Sequence, residues 1–226
     1  MKINNIMIRL KHIFFLTLIG LHFVALAQTN SLKDVQTELD SIYTHDQTIR
    51  FEIMKMQKEG KLQTDEFIAL VTKMKRTDAD NLNKIKAILD RYGWPNDLTD
   101  QGNQTIFLVI QHADIATQRE YLPLIKKAVE DKKILPSNLA ILEDRIALRS
   151  GEKQIYGSQV VIDQNTGIKY VAPLIDPDGV NQRRKSVGLP TMEEYLKQSF
   201  QMSWSLDQYN KDYIKANEVA QKMINQ

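Results

Sequence analysis

The 226-residue sequence is 42% hydrophobic and 26% charged, proportions of an ordinary globular protein that exclude disordered, collagen-like and multi-span membrane chains. It contains no cysteine, which removes disulfides, zinc–thiolate sites, iron–sulfur clusters and cysteine nucleophiles together. The formal net charge is only +2, and its position along the chain matters more than its size.

Lys2, Arg9 and Lys11 lead into a run from Ile13 to Ala27 without Asp, Glu, Lys or Arg, and the run closes on Ala25-Leu26-Ala27. A basic start, a short apolar stretch and small residues before a cut are the three parts of a secretory signal. A membrane anchor needs roughly 20 apolar residues; this run is shorter and contains Thr17, Gly20 and His22. Residues 1–27 are therefore expected to be a cleaved signal peptide, and the mature protein periplasmic or secreted. Cleavage takes three basic residues and no acid, turning the charge from +2 to −1. A near-neutral mature chain has no global field for nucleic acid, and no stable membrane insertion is expected after cleavage. His45 and His112 are the histidines left.

From Ser31, Val35, Leu39, Ile42, Ile49, Ile53 and Met56 follow three- and four-residue steps up to Gly60, with one apolar step missing between Ile42 and Ile49. The spacing predicts one long amphipathic helix. Thr64 to Tyr92 is again helical, with Gly93 as a C-terminal cap and a polar stretch, Lys73 to Asn81, that is a candidate break. Asn103 is placed to cap a third helix through Ile106-Phe107-Leu108-Val109-Ile110, apolar on nearly all sides and so expected to be central. Thr117 with Glu120 reads as a capping box for a fourth helix containing Pro123. Pro136 opens a fifth, with Leu139, Leu142 and Ile146 on its stripe. Val160 to Ile162 and the alternation from Ile168 to Leu174 flank Asp163-Gln164-Asn165-Thr166-Gly167, the pattern of a β-hairpin. Asp176 to Gly188 reads as irregular, Thr191 with Glu194 as the cap of a short helix, and Leu206 to Gln226 as an amphipathic helix. The fold expected is mainly α: a single-domain helical cluster over 28–200, a β-hairpin near 154–174, and a C-terminal helical extension over 201–226.

Polar residues fall on several core-facing positions. Asp46 and Arg50 are four apart, acid first, beside the first helix's stripe, either as a surface ion pair or as groups turned inward. His112 follows the most apolar helix, beside Gln111 and Asp114, either as a general base, a ligand or a hydrogen-bonded core residue. Arg145 lies at the edge of the fifth helix's stripe, where a guanidinium needs carboxylate, carbonyl or ligand partners. In strand alternation Gln154, Tyr156 and Ser158 would share a face. With two histidines and no His-Glu-x-x-His element no metal is expected, and without a glycine-rich phosphate loop or dinucleotide fingerprint no cofactor is expected either.

The ordered set Asp46-Gln47-x-x-Arg50, Gly93-Trp94-Pro95, Gln111-His112-Ala113-Asp114, Asp144-Arg145, Gln154-x-Tyr156-Gly157-Ser158-Gln159, Arg183-Arg184 and Gly188-Leu189 resembles an uncharacterised bacterial family, a domain of unknown function, over about residues 40–197. Members of that family usually carry Thr at the position of Ser158. The resemblance implies a polar constellation assembled from several helices and the hairpin, without supplying a reaction. On this reading His112, Asp114 and Tyr156 are the candidate catalytic residues, and Asp46, Gln47, Arg50, Gln111, Arg145, Gln159 and Arg184 the candidate ligand contacts. The function expected is an exported envelope protein binding or hydrolysing a small anionic or carbonyl-containing ligand. The alternative is a non-catalytic partner of another envelope protein whose polar constellation is a structural hydrogen-bond network.

Overall fold

A computed structural model describes residues 32–224; the expected signal peptide lies outside them. Among the described residues the chain forms eight helices and one two-stranded antiparallel hairpin, the mainly helical architecture that the hydrophobic stepping predicts. It divides into two compact units, with the boundary between Ile106 and Phe107. Among the described residues no helix is long and apolar enough to cross a membrane.

In the first unit α1 covers residues 32–58 and α2 covers Asp65–Tyr92. The stripe Val35, Leu39, Ile42, Ile49, Ile53 and Met56 is buried throughout. The missing apolar step is occupied by Asp46, itself only 2% exposed. Thr64 caps α2 by accepting from Phe67 N, which satisfies an amide donor that the first turn leaves open. The polar stretch Lys73 to Asn81 does not break α2, because its charged side chains lie along one continuous helix whose inner face resumes at Asn81, Ile85, Ile88 and Leu89. Gly93 ends it at φ +63°, a left-handed backbone that favours glycine. Arg50 pairs with Asp78 and Glu38 with Lys84, so α1 and α2 run antiparallel.

Helix α3, Asp100–His112, begins three residues before the expected cap. Asn103 is inside it, accepting from Trp94 Nε1 at 2.7 Å; a buried indole N–H requires such an acceptor. Helix α4, Ile115–Glu130, is capped by Asp114, whose Oδ1 accepts from Thr117 N at 2.8 Å. The Thr117–Glu120 box is therefore displaced by one turn, since an acid preceding the helix reaches the open amide first. Pro123 lies within α4.

In the second unit α4 packs on α5, Pro136–Arg149. Strands β1, Val160–Ile162, and β2, Lys169–Val171, pair with Val161 opposite Tyr170. Gln154 bridges Leu174 beyond the hairpin's open end. The segment expected to be irregular contains a short helix, α6, Val180–Ser186. Helix α7, Met192–Phe200, carries the full Thr191–Glu194 capping box. Helix α8, Leu206–Ile224, lays Ala216, Val219 and Ala220 against Leu148, Val161, Tyr170 and Ala172. Tyr209 joins a second cluster with Val171, Leu174, Val180, Met192 and Leu196. Burial of each large side chain here is worth about 1.5–3 kcal/mol, and from Tyr209 to Ala220 the apolar face of α8 is covered by its own chain.

Candidate functional site

The second unit's polar chemistry starts with a buried carboxylate. Asp144, on the inner face of α5, has no exposed surface. Its Oδ1 accepts from Ile155 N and Tyr156 N at 2.7 and 2.9 Å, and its Oδ2 from Ser158 N at 2.8 Å. Charge-assisted bonds of this kind hold a loop in one shape. Gln154 secures the same loop through bonds with the main chain of Gln159 and Ala172. Arg184 donates to Tyr156 O and Pro190 O, and its guanidinium lies 4.7 Å from the centre of the Tyr195 ring. Arg183 donates to Ile155 O, Ile175 O and Asp176 O. Tyr195 closes the set by donating to Ser158 O at 2.6 Å.

The turn inside this loop requires glycine. Gly157 sits at φ +72°, and a Cβ there would lie 2.7 Å from Met192 Sδ, too close for an ordinary contact. Residues 154–159 are thus a fixed loop rather than an alternating strand. Its main-chain groups turn to Asp144, Gln154 and the arginines, which leaves the side chains of Tyr156 and Gln159 partly exposed.

Beside this loop lies a cleft of about 680 Å³. His112, Asp114, Arg145 and Gln159 line it together, so four of the residues singled out in the sequence meet there. Helix α3 ends at His112, which removes the helical geometry that would have pointed His112 and Asp114 apart. Asp114 has both oxygens bonded to Thr117. Arg149, one turn after Arg145 on α5, also lines the cleft and donates to Ala113 O at 2.9 Å. Partial burial lowers the Arg149 pKa while the Asp114 charge opposes the shift; a guanidinium nonetheless stays charged. The remaining walls are aliphatic, supplied by Ile115, Leu148, Val160, Met223 and Ile224.

The other sequence candidates stand elsewhere. Tyr156 is not among the cleft's lining residues, and its phenol is pushed up by burial and by the charges of Glu143 and Asp144, which keeps it protonated near neutral pH. Gln111 is buried, and its carbonyl accepts from Gln118 Nε2 at 2.6 Å. Arg184 is fully buried beneath the loop. In the first unit Gln47 and Arg50 both donate to Asp46, and Arg50 also donates to Asp78 at 2.7 Å. His45 is exposed in a groove of its own unit, 3.5 Å from Ser41 Oγ.

Sequence reading missed Arg149 and Gln118. Arg149 was within reach, because a four-residue step from Arg145 puts both on one helix face. Gln118, whose Nε2 ties Gln111 O and Ala113 O at the end of α3, gives no such signal. Its role depends on where main-chain carbonyls converge.

A model of the family of unknown function DUF6624 matches residues 33–205. No curated protein and no solved structure matches the chain.

Proposed function

The chain belongs to the family of unknown function DUF6624, and we propose that its second unit binds a small anionic or carbonyl-containing ligand in the cleft beside the 154–159 loop. One observation carries this reading: Arg145 and Arg149, one turn apart on α5, line the same opening as His112 and the Gln159 amide. The carboxylate in that lining, Asp114, is engaged in capping α4. Arg145 and Arg149 bring guanidinium N–H donors to one opening, and paired donors of this kind suit a carboxylate or phosphate.

In this proposal Arg145 and Arg149 are the clamp and Gln159 an orienting amide. His112 is the proton-exchanging group should the bound ligand react, because imidazole is the side chain suited to that work near neutral pH. Asp144, Gln154, Arg183 and Arg184 are positioning residues that fix the loop bearing Tyr156 and Gln159. Asp46, Gln47 and Arg50 secure α1 on α2. The structural-network alternative is favoured by one specific set of contacts, the bonds from Asp144, Gln154 and Arg184 to main chain, and we assign that part of the constellation to it.

We further propose that the protein is exported. The support is the basic start, apolar run and Ala25-Leu26-Ala27 ending of residues 1–27. Isothermal titration of the exported chain with acetate and with inorganic phosphate tests the binding reading. Saturable binding that weakens with added salt, and that Arg149→Gln reduces about tenfold at unchanged melting temperature, is expected. Equal affinity in parent and variant would overturn it.

A further inference from the structure

The cleft's lining is chemically divided: five polar residues, His112, Asp114, Arg145, Arg149 and Gln159, stand with five large aliphatic ones, Ile115, Leu148, Val160, Met223 and Ile224. The aliphatic members come from four separate elements, the starts of α4 and β1 and the ends of α5 and α8. Met223 remains 50% exposed although the rest of the inner face of α8 is covered. An inorganic anion or a hydroxylated acid would use the arginines and leave this apolar wall wet. A ligand with an aliphatic tail removes that surface from water, each buried methylene strengthening binding about fourfold.

Resting on the anion-binding reading above, we propose that the cleft takes a monoanionic amphiphile of the medium-chain alkanoate class. Its carboxylate meets Arg149, which is exposed and donates one N–H to Ala113 O, together with Arg145. Its alkyl chain lies over Leu148, Val160 and Met223.

The test is isothermal titration of the exported chain with acetate, butanoate, hexanoate, octanoate and 1-octanol, each below its aggregation concentration. One octanoate per chain is expected, bound on the order of 30-fold tighter than acetate or more, with affinity rising at each step of chain length. Arg149→Gln lowers octanoate affinity about tenfold, and Met223→Gln lowers the octanoate-to-acetate ratio. If acetate and octanoate bind equally and Arg149→Gln weakens both, the tail assignment fails while the anion reading stands. If 1-octanol matches octanoate, or if no acid binds, the anion reading fails and this proposal falls with it.

Discussion

Asp144 shows how a single side chain organises the second unit. A carboxylate without exposed surface would be strongly destabilising if left bare, and here three main-chain amides surround it. Asp144→Asn keeps the shape but turns an amide N–H₂ toward amide donors. The expected cost is about 2–4 kcal/mol, read as a lower urea midpoint. A smaller effect is expected at Tyr209, whose hydroxyl accepts from Leu174 N at 2.7 Å in a buried setting. Tyr209→Phe leaves that amide unmatched and should cost about 1–3 kcal/mol by the same measurement. At this scale the sequence was legible where a polar residue interrupts an apolar stripe, as Asp46 does. It was illegible where the partner is main chain. Nothing in the letters of Arg183 or Arg184 says that the carbonyls of Ile155 and Tyr156 will lie within reach, so two arginines of a segment that reads as irregular clamp the loop, Arg184 from a buried position.

Among the elements, α8 and the hairpin depend on one another. Asp163, at the hairpin turn, accepts from Asn165 N and pairs with Lys215 of α8 at 3.1 Å. The Asn165 amide first, and Lys215 with it, hold the Asp163 carboxyl below the usual carboxylate range. A carboxylate whose folded pKa is depressed adds stability that is complete above the unfolded value, about 3.9, and lost as pH falls through the lower folded value. The melting-temperature gap between the parent and Asp163→Asn should therefore be constant from about pH 6 to 8 and shrink below about pH 4. Removal of residues 206–226 strips the cover from Leu148, Val161, Tyr170 and Ala172. Loss of cooperative unfolding by circular dichroism is the expected outcome, and an unchanged transition would show that α8 is dispensable to the fold. The stepping of Leu206, Tyr209, Tyr213 and Val219 announced the helix and its apolar face. The surface it covers could not be read, because hairpin pairing and the α8 docking are long-range. Boundaries failed where two caps compete, as with Asp114 and Thr117, or where a seven-residue helix such as α6 is too short for a periodic signal.

For the whole molecule, helical dominance, the hairpin and the family resemblance were all present in the sequence, whereas the division between Ile106 and Phe107 was not. That boundary falls inside α3, the most apolar helix, where composition shows no linker. Export is an independent expectation at this scale. Intact mass of the protein recovered from the cell envelope should correspond to a chain beginning at Gln28, and a chain retaining Met1 would contradict cleavage. The central claim is that residues distant in sequence surround an opening that a small anion enters. Titration of the ¹⁵N-labelled protein with octanoate, followed by amide chemical shifts, tests it most directly. Saturable shifts centred on Ala113, Ile115, Arg149 and Gln159, with the midpoint moved to about tenfold higher octanoate by Arg149→Gln, are the predicted result; shifts absent from these amides, or indifferent to that substitution, would contradict it.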